Sequence, residues 1–158
     1  MENKYRKTGK KVVTWGMKKV QKVGVGAAGL VVAVVGSRSL TTWSAMVVRL
    51  DALRAAGQVA RVVSGGAAGP DRLAARWAAS HGVPLTEHRP DYRAHGAGAP
   101  LVRNGLVVAD ADLVLVVWDG ESRGTLDAAR KAAKLGKRLE WLAAPAPDAA
   151  PVAGGLGL

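Results

Sequence analysis

The chain has 158 residues, of which 49% are hydrophobic and none is cysteine. A chain of this length forms a single domain with a substantial core, and the lack of cysteine excludes disulfide bonds and zinc sites built on thiolates. The formal net charge of +11 is concentrated at the start, where residues 1–22 hold eight Lys or Arg and one acidic residue.

The first segment, residues 1–22, is interpreted as a basic, lysine-rich and flexible leader. A solvated arm without a partner is the first interpretation. The alternative is weak polyanion binding by residues 1–22, since arms of this kind bind polyanions without sequence preference. The apolar run that follows is shorter than the roughly 20 residues that a membrane-spanning helix needs. We therefore predict a cytoplasmic protein that does not contact membranes.

A glycine pattern, Gly24-Val25-Gly26-Ala27-Ala28-Gly29, matches the dinucleotide fingerprint G-x-G-x-x-G. That fingerprint must follow a strand and open a helix, because its glycines bring backbone amides to a pyrophosphate. Here the pattern precedes the first apolar run instead. We interpret it as a coincidental match at the wrong end of the first strand.

Apolar runs alternate with amphipathic segments along the rest of the chain. Strands are predicted at Leu30–Val35, Val59–Ser64, Leu85–Arg89, Asp112–Trp118 and Arg138–Leu142. Helices are predicted from Thr41 or Thr42 to about Ala56, over Asp71–His81, from Pro100 to Ala109, and over Thr125–Leu135. The segment Pro90 to Pro100 is predicted to be a polar, glycine-rich loop.

This alternation predicts an α/β fold, a single Rossmann-like, doubly wound parallel sheet of about five strands. We assign the domain to residues 23–142, followed by a Pro/Ala/Gly-rich tail over residues 143–158. In such a sheet, ligands bind beyond the carboxyl ends of the strands, near the switch in strand order. Candidate site residues are therefore sought in the loops that follow the strands.

Three of these loops combine glycine with residues that can hold an anion. Glycines that cluster between a strand and a helix allow amide hydrogens to converge on a phosphate, and a guanidinium can grip it with two donors. Asp71 either caps its helix or accepts a hydrogen bond from a ribose or base. The predicted ligand-binding residues are Gly36, Ser37, Arg38, Ser64, Gly65, Gly66, Gly69, Asp71, Asn104, Ser122, Arg123, Gly124 and Thr125.

No metal ion or other cofactor is predicted. The three histidines, His81, His88 and His95, fall on a helix end, a strand and a loop, so they share no face.

Taken together, the motifs Gly36-Ser37-Arg38, Ser64-Gly65-Gly66-Ala67, Arg103-Asn104 and Gly124-Thr125 resemble those of the SLOG superfamily. That superfamily includes the DNA-processing SMF proteins and the Lonely Guy phosphoribohydrolases, and the resemblance is strongest to its small YspA-related branch. It implies a nucleotide or nucleotide-derived ligand. In Lonely Guy enzymes an arginine and an acid assist cleavage of an N-glycosidic bond, and Arg103 and Asp127 would be their catalytic counterparts here.

The sequence departs from the Lonely Guy pattern before Gly124, where Asp119-Gly120-Glu121-Ser122-Arg123 replaces a proline and paired glycines. Three hypotheses therefore stay open. The first is a nucleotide sensor or carrier, the second a nucleoside-monophosphate phosphoribohydrolase, and the third a nucleic-acid-binding protein of the DNA-processing type. Helix faces rich in Ala, Val and Leu also predict a homo-oligomer.

Overall fold

The computed structural model describes residues 29–40 and 44–142. The predicted leader and tail, Gly24 and Gly26 of the glycine pattern, and the caps Thr41 and Thr42 all lie outside the described residues. Gly29 is described, and it packs against the backbone of residues 58–60, where β-strand Val59–Ser64 begins. It therefore lies at the amino ends of the strands, away from the predicted ligand site.

The described chain forms one five-stranded parallel sheet covered by helices. Its strands are β1 (Leu30–Gly36), β2 (Val59–Ser64), β3 (Leu85–Glu87), β4 (Leu113–Val117) and β5 (Arg138–Leu142). Its α-helices are α1 (Ser44–Ala55), α2 (Pro70–Ser80), α3 (Tyr92–His95), α4 (Ala99–Ala109) and α5 (Arg123–Lys134). The strand order is β3-β2-β1-β4-β5, which confirms the predicted doubly wound α/β fold.

Alternate residues of the central strands enter two separate hydrophobic clusters, one on each face of the sheet. Val32 and Val34 of β1 pack with α1 and α2, whereas Ala33 and Val35 pack with α4 and α5. Strand β4 is buried along its whole length. Strands covered on both faces must be apolar at every position, which is why β1 and β4 are continuous hydrophobic runs.

Three predicted segments differ from the structure by two residues or more, and the first is β3, which ends at Glu87 rather than at Arg89. The segment expected to be a loop contains the short helix α3 and a 3₁₀ turn over Gly96–Gly98, because the Asp91 side chain caps α3 by accepting from the Ala94 amide at 3.0 Å. Helix α5 begins two residues before the predicted start, because Ser122 caps it. As a result, Asp127 lies beyond the first helical turn rather than within it.

The loops after β1 and β2 approach each other so closely that glycine is required on both sides. A Cβ atom at Gly36 would lie 2.5 Å from Cγ of Pro70, and one at Gly69 would lie 2.9 Å from the carbonyl oxygen of Ser37. Gly69 also has a positive φ of 79°, which disfavours other residues. This contact brings the start of α2 against the carboxyl end of β1.

We expect the Gly36→Ala substitution to destabilise the fold by about 1–3 kcal/mol, because the added methyl group must displace Pro70 or the β4 backbone. The matched control is Gly105→Ala on α4, where an added Cβ meets no atom within 4 Å, and where alanine should stabilise the helix by up to about 1 kcal/mol. Urea unfolding of both variants measures the two effects. Equal stability of Gly36→Ala and the unmodified chain would contradict the prediction.

Candidate ligand site at the carboxyl ends of the strands

A cavity of about 950 Å³ lies at the carboxyl ends of the strands, where the strand order reverses between β1 and β4. Eleven of the residues predicted for the site line it, namely Gly36, Arg38, Gly65, Gly66, Asp71, Arg103, Asn104, Ser122, Arg123, Gly124 and Thr125. Four others do not line it, namely Ser37, Ser64, Gly69 and Asp127. The four have structural contacts instead.

Ser37 is buried and joins the loops that follow β1 and β4. Its hydroxyl accepts a hydrogen bond from the Asp119 amide at 3.0 Å and lies 3.4 Å from the Thr125 hydroxyl. Its own amide donates to the Val117 carbonyl at 2.9 Å. The side chain thus holds the two loops together, while the neighbouring Arg38 is exposed and lines the cavity.

The glycine-rich loop after β2 is tied to a carboxylate of its own chain. Oδ2 of Asp71 accepts from the amides of Gly65 at 2.9 Å and Ala67 at 3.3 Å. The Gly66 amide donates to the hydroxyl of Ser64 at 3.3 Å. The sequence predicted that these amides converge on an external anion, but in the structure the Asp71 carboxylate takes the place of that anion.

Asp71 is 6% exposed, and this burial raises its pKa to about 6. The amides of Ala67 and Gly65 and the charge of Arg103 oppose the shift, because they favour the ionised carboxylate, whereas Glu87 adds to it. The buried carboxylate therefore titrates near neutrality rather than in the acidic range. Asp71 is the second residue of α2 and is not its N-cap, because the N-cap is Gly69.

Arg103 lies across the same loop. Its Nη1 donates to the Gly65 carbonyl, and a Cβ atom at Gly65 would lie 2.7 Å from Cδ of Arg103. Glycine at this position therefore makes room for the guanidinium. Arg103 lines the cavity, but one of its donors already supports the loop.

The predicted catalytic acid, Asp127, does not line the cavity. Its carboxylate accepts from Nδ2 of Asn104 at 3.1 Å and pairs with Lys131 at 2.8 Å. Nδ2 of Asn104 also donates to the Gly124 carbonyl at 3.2 Å. In the structure, Asn104 and Asp127 thus fasten α4 to the start of α5, so of the two predicted catalytic residues Arg103 lines the cavity and Asp127 does not.

The loop after β4 is organised by Asp119, which was not among the predicted site residues. Its Oδ1 accepts from the amides of Glu121 and Ser122, both at 2.8 Å, and its Oδ2 accepts from the Ser39 hydroxyl at 2.9 Å. The amides of Ser122 and Glu121 lower the pKa of Asp119 to about 2. Asp-Gly directly after a strand is a turn signal that could have identified it.

The start of helix α5 lines the cavity. The Ser122 hydroxyl accepts from the Thr125 amide at 3.3 Å, which satisfies one of the orphan amides of the first turn. Arg123 and Gly124 lie in the first turn of α5, where an amide has no carbonyl partner within the helix. Both residues line the cavity. The helix dipole places positive potential at this point.

Among the described residues that line the cavity, four are arginines and three are acidic. The arginines are Arg38, Arg89, Arg103 and Arg123, and the acidic residues are Asp71, Asp119 and Glu121. The cavity is therefore positive by one charge, or by two when Asp71 is protonated. Arg38 and Arg123 are exposed and form no ion pair with another described residue.

Three lining residues, Arg89, Pro90 and Tyr92, come from the segment between β3 and α4, and none of them was among the predicted site residues. Arg89 lies beside Gly66 and donates to Glu87 at 2.8 Å, and Tyr92 is 60% exposed at the rim. Arg89 was predicted to end a strand and Tyr92 to lie in an irregular loop, and neither prediction indicated which side chains face the cavity.

The part of the chain that the structure describes holds no group of three His, Asp or Glu side chains placed to bind a metal ion. No helix over these same residues is long and apolar enough to cross a membrane.

Comparisons with known proteins agree with this geometry. Residues 30–95 match the model of the YspA, cpYpsA-related SLOG family. The Gene 61 protein of Mycobacterium phage D29 is 37% identical, over 66% of this chain and 90% of that protein. The solved structure of DNA processing protein A from Helicobacter pylori, described for its single-stranded DNA binding mode, has a TM-score of 0.59 and 26% identity over 76% of this chain and 68% of its own.

The raised pKa of Asp71 predicts a specific dependence of stability on pH. Its ordinary value is 3.8 and its folded value is about 6, so the folded state holds the proton more tightly than the unfolded state. The stabilisation is complete below about pH 4 and is lost as the pH rises through 6. In urea unfolding, the stability of the unmodified chain relative to Asp71→Asn should fall by up to about 3 kcal/mol between pH 4 and pH 7.

The matched control is Asp119→Asn, because the pKa of Asp119 is shifted in the opposite direction. A lowered folded pKa gives stability that is present above about pH 4 and is lost only in more acidic solution. The difference between the unmodified chain and Asp119→Asn should therefore stay constant from pH 5 to pH 7. A constant difference for Asp71→Asn over the same range would show that the burial of Asp71 does not shift its titration.

Proposed function

The chain belongs to the YspA, cpYpsA-related SLOG family, and we propose that it binds a nucleotide or nucleotide-derived phosphate in the cavity at the carboxyl ends of its strands. The protein acts as a sensor or carrier of that ligand. The observation that carries the proposal is the placement of Arg38 and the first turn of α5 on one cavity at the switch in strand order. A guanidinium and helix N-terminal amides together are suited to a phosphate group.

The phosphate is proposed to lie between Arg38, Arg123 and the Gly124 amide. Both guanidinium groups are exposed and form no ion pair with another described residue, so their donors are available to a ligand. The amides of Gly65, Gly66 and Ala67 are less suitable, because Asp71 and Ser64 already accept from them. This assigns the phosphate to the β1 and β4 side of the cavity.

The size and lining of the cavity support a ligand larger than free phosphate. Its volume of about 950 Å³ lies at the upper end of the range of small-molecule sites, roughly 300–1,000 Å³. Tyr92 at the rim offers an exposed aromatic ring on which a base can stack. The position of Asp127 outside the lining supports binding over N-glycosidic cleavage, so the phosphoribohydrolase hypothesis stays a prediction of the sequence.

Titration calorimetry with AMP, GMP, CMP and UMP tests the proposal. We expect saturable binding of at least one of them, weakened about tenfold or more by Arg38→Ala and by Arg123→Ala, because each removes a charge-assisted hydrogen bond. The matched control is Arg76→Ala, an exposed arginine on α2 that does not line the cavity. It should bind as the unmodified chain does.

Two results would overturn this assignment. One is the absence of binding by all four monophosphates and by their di- and triphosphates. The other is binding that Arg38→Ala, Arg123→Ala and Arg76→Ala weaken to the same small extent, because it would indicate attraction by net charge alone.

A second candidate function is the binding of single-stranded nucleic acid. The structural similarity to DNA processing protein A of Helicobacter pylori favours it, since that structure concerns single-stranded DNA binding. The excess of positive charge on this chain is consistent with it. In this version Arg38 and Arg123 hold a backbone phosphate of the strand rather than a free nucleotide.

Fluorescence anisotropy with a labelled single-stranded oligonucleotide distinguishes the two candidates. Single-stranded nucleic acid should displace a bound mononucleotide. Its affinity should fall steeply with added salt and fall further when residues 1–22 are deleted. A matched double-stranded oligonucleotide serves as the control. Affinity that does not change with salt, or that is equal for the two oligonucleotides, would count against a single-strand site in the cavity.

A further inference from the structure

The carboxylate of Asp71 has one oxygen that no described residue uses as an acceptor. Oδ2 accepts from two loop amides, at 2.9 Å from Gly65 N and 3.3 Å from Ala67 N. Oδ1 accepts from no group within residues 29–40 and 44–142. The residue is only 6% exposed, yet it lines the cavity. A buried polar atom without a partner is costly, and such atoms in native proteins call for an explanation.

We propose that Oδ1 of Asp71 accepts a hydrogen bond from a ribose hydroxyl of the bound nucleotide, so that the cavity selects ribonucleotides over deoxyribonucleotides. The inference rests on the proposed nucleotide binding and adds the position and chemistry of the sugar. The ligand then lies with its phosphate toward Arg38 and α5 and its ribose toward the β2–α2 loop.

A hydroxyl fits this position better than the other groups of a nucleotide. A phosphate brings negative charge to a carboxylate, and the neighbouring amides that would stabilise it donate to Asp71 instead. A base edge with two adjacent donors requires both carboxylate oxygens, and Oδ2 already accepts two hydrogen bonds. A single donor without charge, such as a ribose hydroxyl, matches the one free oxygen.

The surroundings hold this oxygen in place before a ligand arrives. The Gly65 carbonyl accepts from Arg103, and the Gly65 amide donates to Asp71. Both backbone polar groups of Gly65 are therefore hydrogen-bonded, which fixes the loop at this residue. Gly36 and Gly69 pack the start of α2 against β1. A fixed acceptor discriminates well, because a deoxy ligand would cover the carboxylate without supplying a donor.

The protonation of Asp71 provides a second test of the proposed hydrogen bond to the ribose. Its pKa is raised to about 6 by burial, and a ligand that donates to the carboxylate favours the ionised form and lowers that pKa. Two other charged groups act on this pKa, since Arg103 of α4 lowers it and Glu87 of β3 raises it. The remaining charged side chains that line the cavity are Arg38, Arg89, Arg123, Asp119 and Glu121. Binding of a ribonucleotide near pH 6 should therefore release protons, which calorimetry detects by comparing buffers of different ionisation enthalpy.

The test compares AMP, GMP, CMP and UMP with their 2′-deoxy and 3′-deoxy forms by titration calorimetry at pH 7.5. The unmodified chain should bind the ribonucleotide about tenfold or more tightly than one of its deoxy forms, as expected for loss of a hydrogen bond to a charged group. Asp71→Asn should reduce that ratio to within about twofold. Glu121→Gln, which removes one charge from the same cavity, should preserve the ratio whatever its effect on absolute affinity.

The ratio measured on the unmodified chain decides the matter even if Asp71→Asn does not fold. Ribo and deoxy forms that bind within twofold of each other would overturn the inference while leaving nucleotide binding intact. A ratio that persists in Asp71→Asn, or a preference that follows an exocyclic base amine in AMP against IMP, would also overturn it. Failure of every nucleotide to bind would remove both this inference and the proposed function.

Discussion

The candidate site depends on the close approach of the three loops that leave β1, β2 and β4. Gly36 contacts Pro70, Gly69 contacts the backbone of the β1 loop, and Ser37 bonds to the loop after β4. Because neither glycine carries a Cβ atom, the Pro70 ring lies against Gly36 and the backbone of the β1 loop lies against Gly69. The cavity is the space that remains beside this junction, and its walls keep their relative positions because the junction cannot widen without losing buried contacts.

The two sides of the cavity differ in character. On the side of β1 and β4, exposed guanidinium groups and the start of α5 provide positive potential. On the side of β2, amides and Arg103 are already engaged by Asp71 and Gly65, which leaves one carboxylate oxygen. A site with an electropositive half and an acceptor half is suited to an asymmetric ligand, one with an anion at one end and hydroxyl groups toward the other.

Much of this architecture could be predicted from the sequence, because strands buried on both faces are continuous apolar runs such as Leu113–Val117. The loops with glycine were also correctly located, since they must follow those strands. The partners of individual carboxylates could not be predicted. Asp71, Asp119 and Asp127 look alike in sequence, yet one braces a loop, one organises a turn and one joins two helices. Those roles depend on distances that only the folded chain fixes.

The pairing of β1 with β4 has a consequence for the order in which the chain folds. Val32 of β1 pairs with Leu113, roughly 80 residues later, so one edge of the central strand stays open while the intervening segment is synthesised. An apolar, unpaired edge is a template for pairing with other chains. A nascent chain that pauses before β4 would expose that edge. We therefore expect the chain to need chaperones most during that interval.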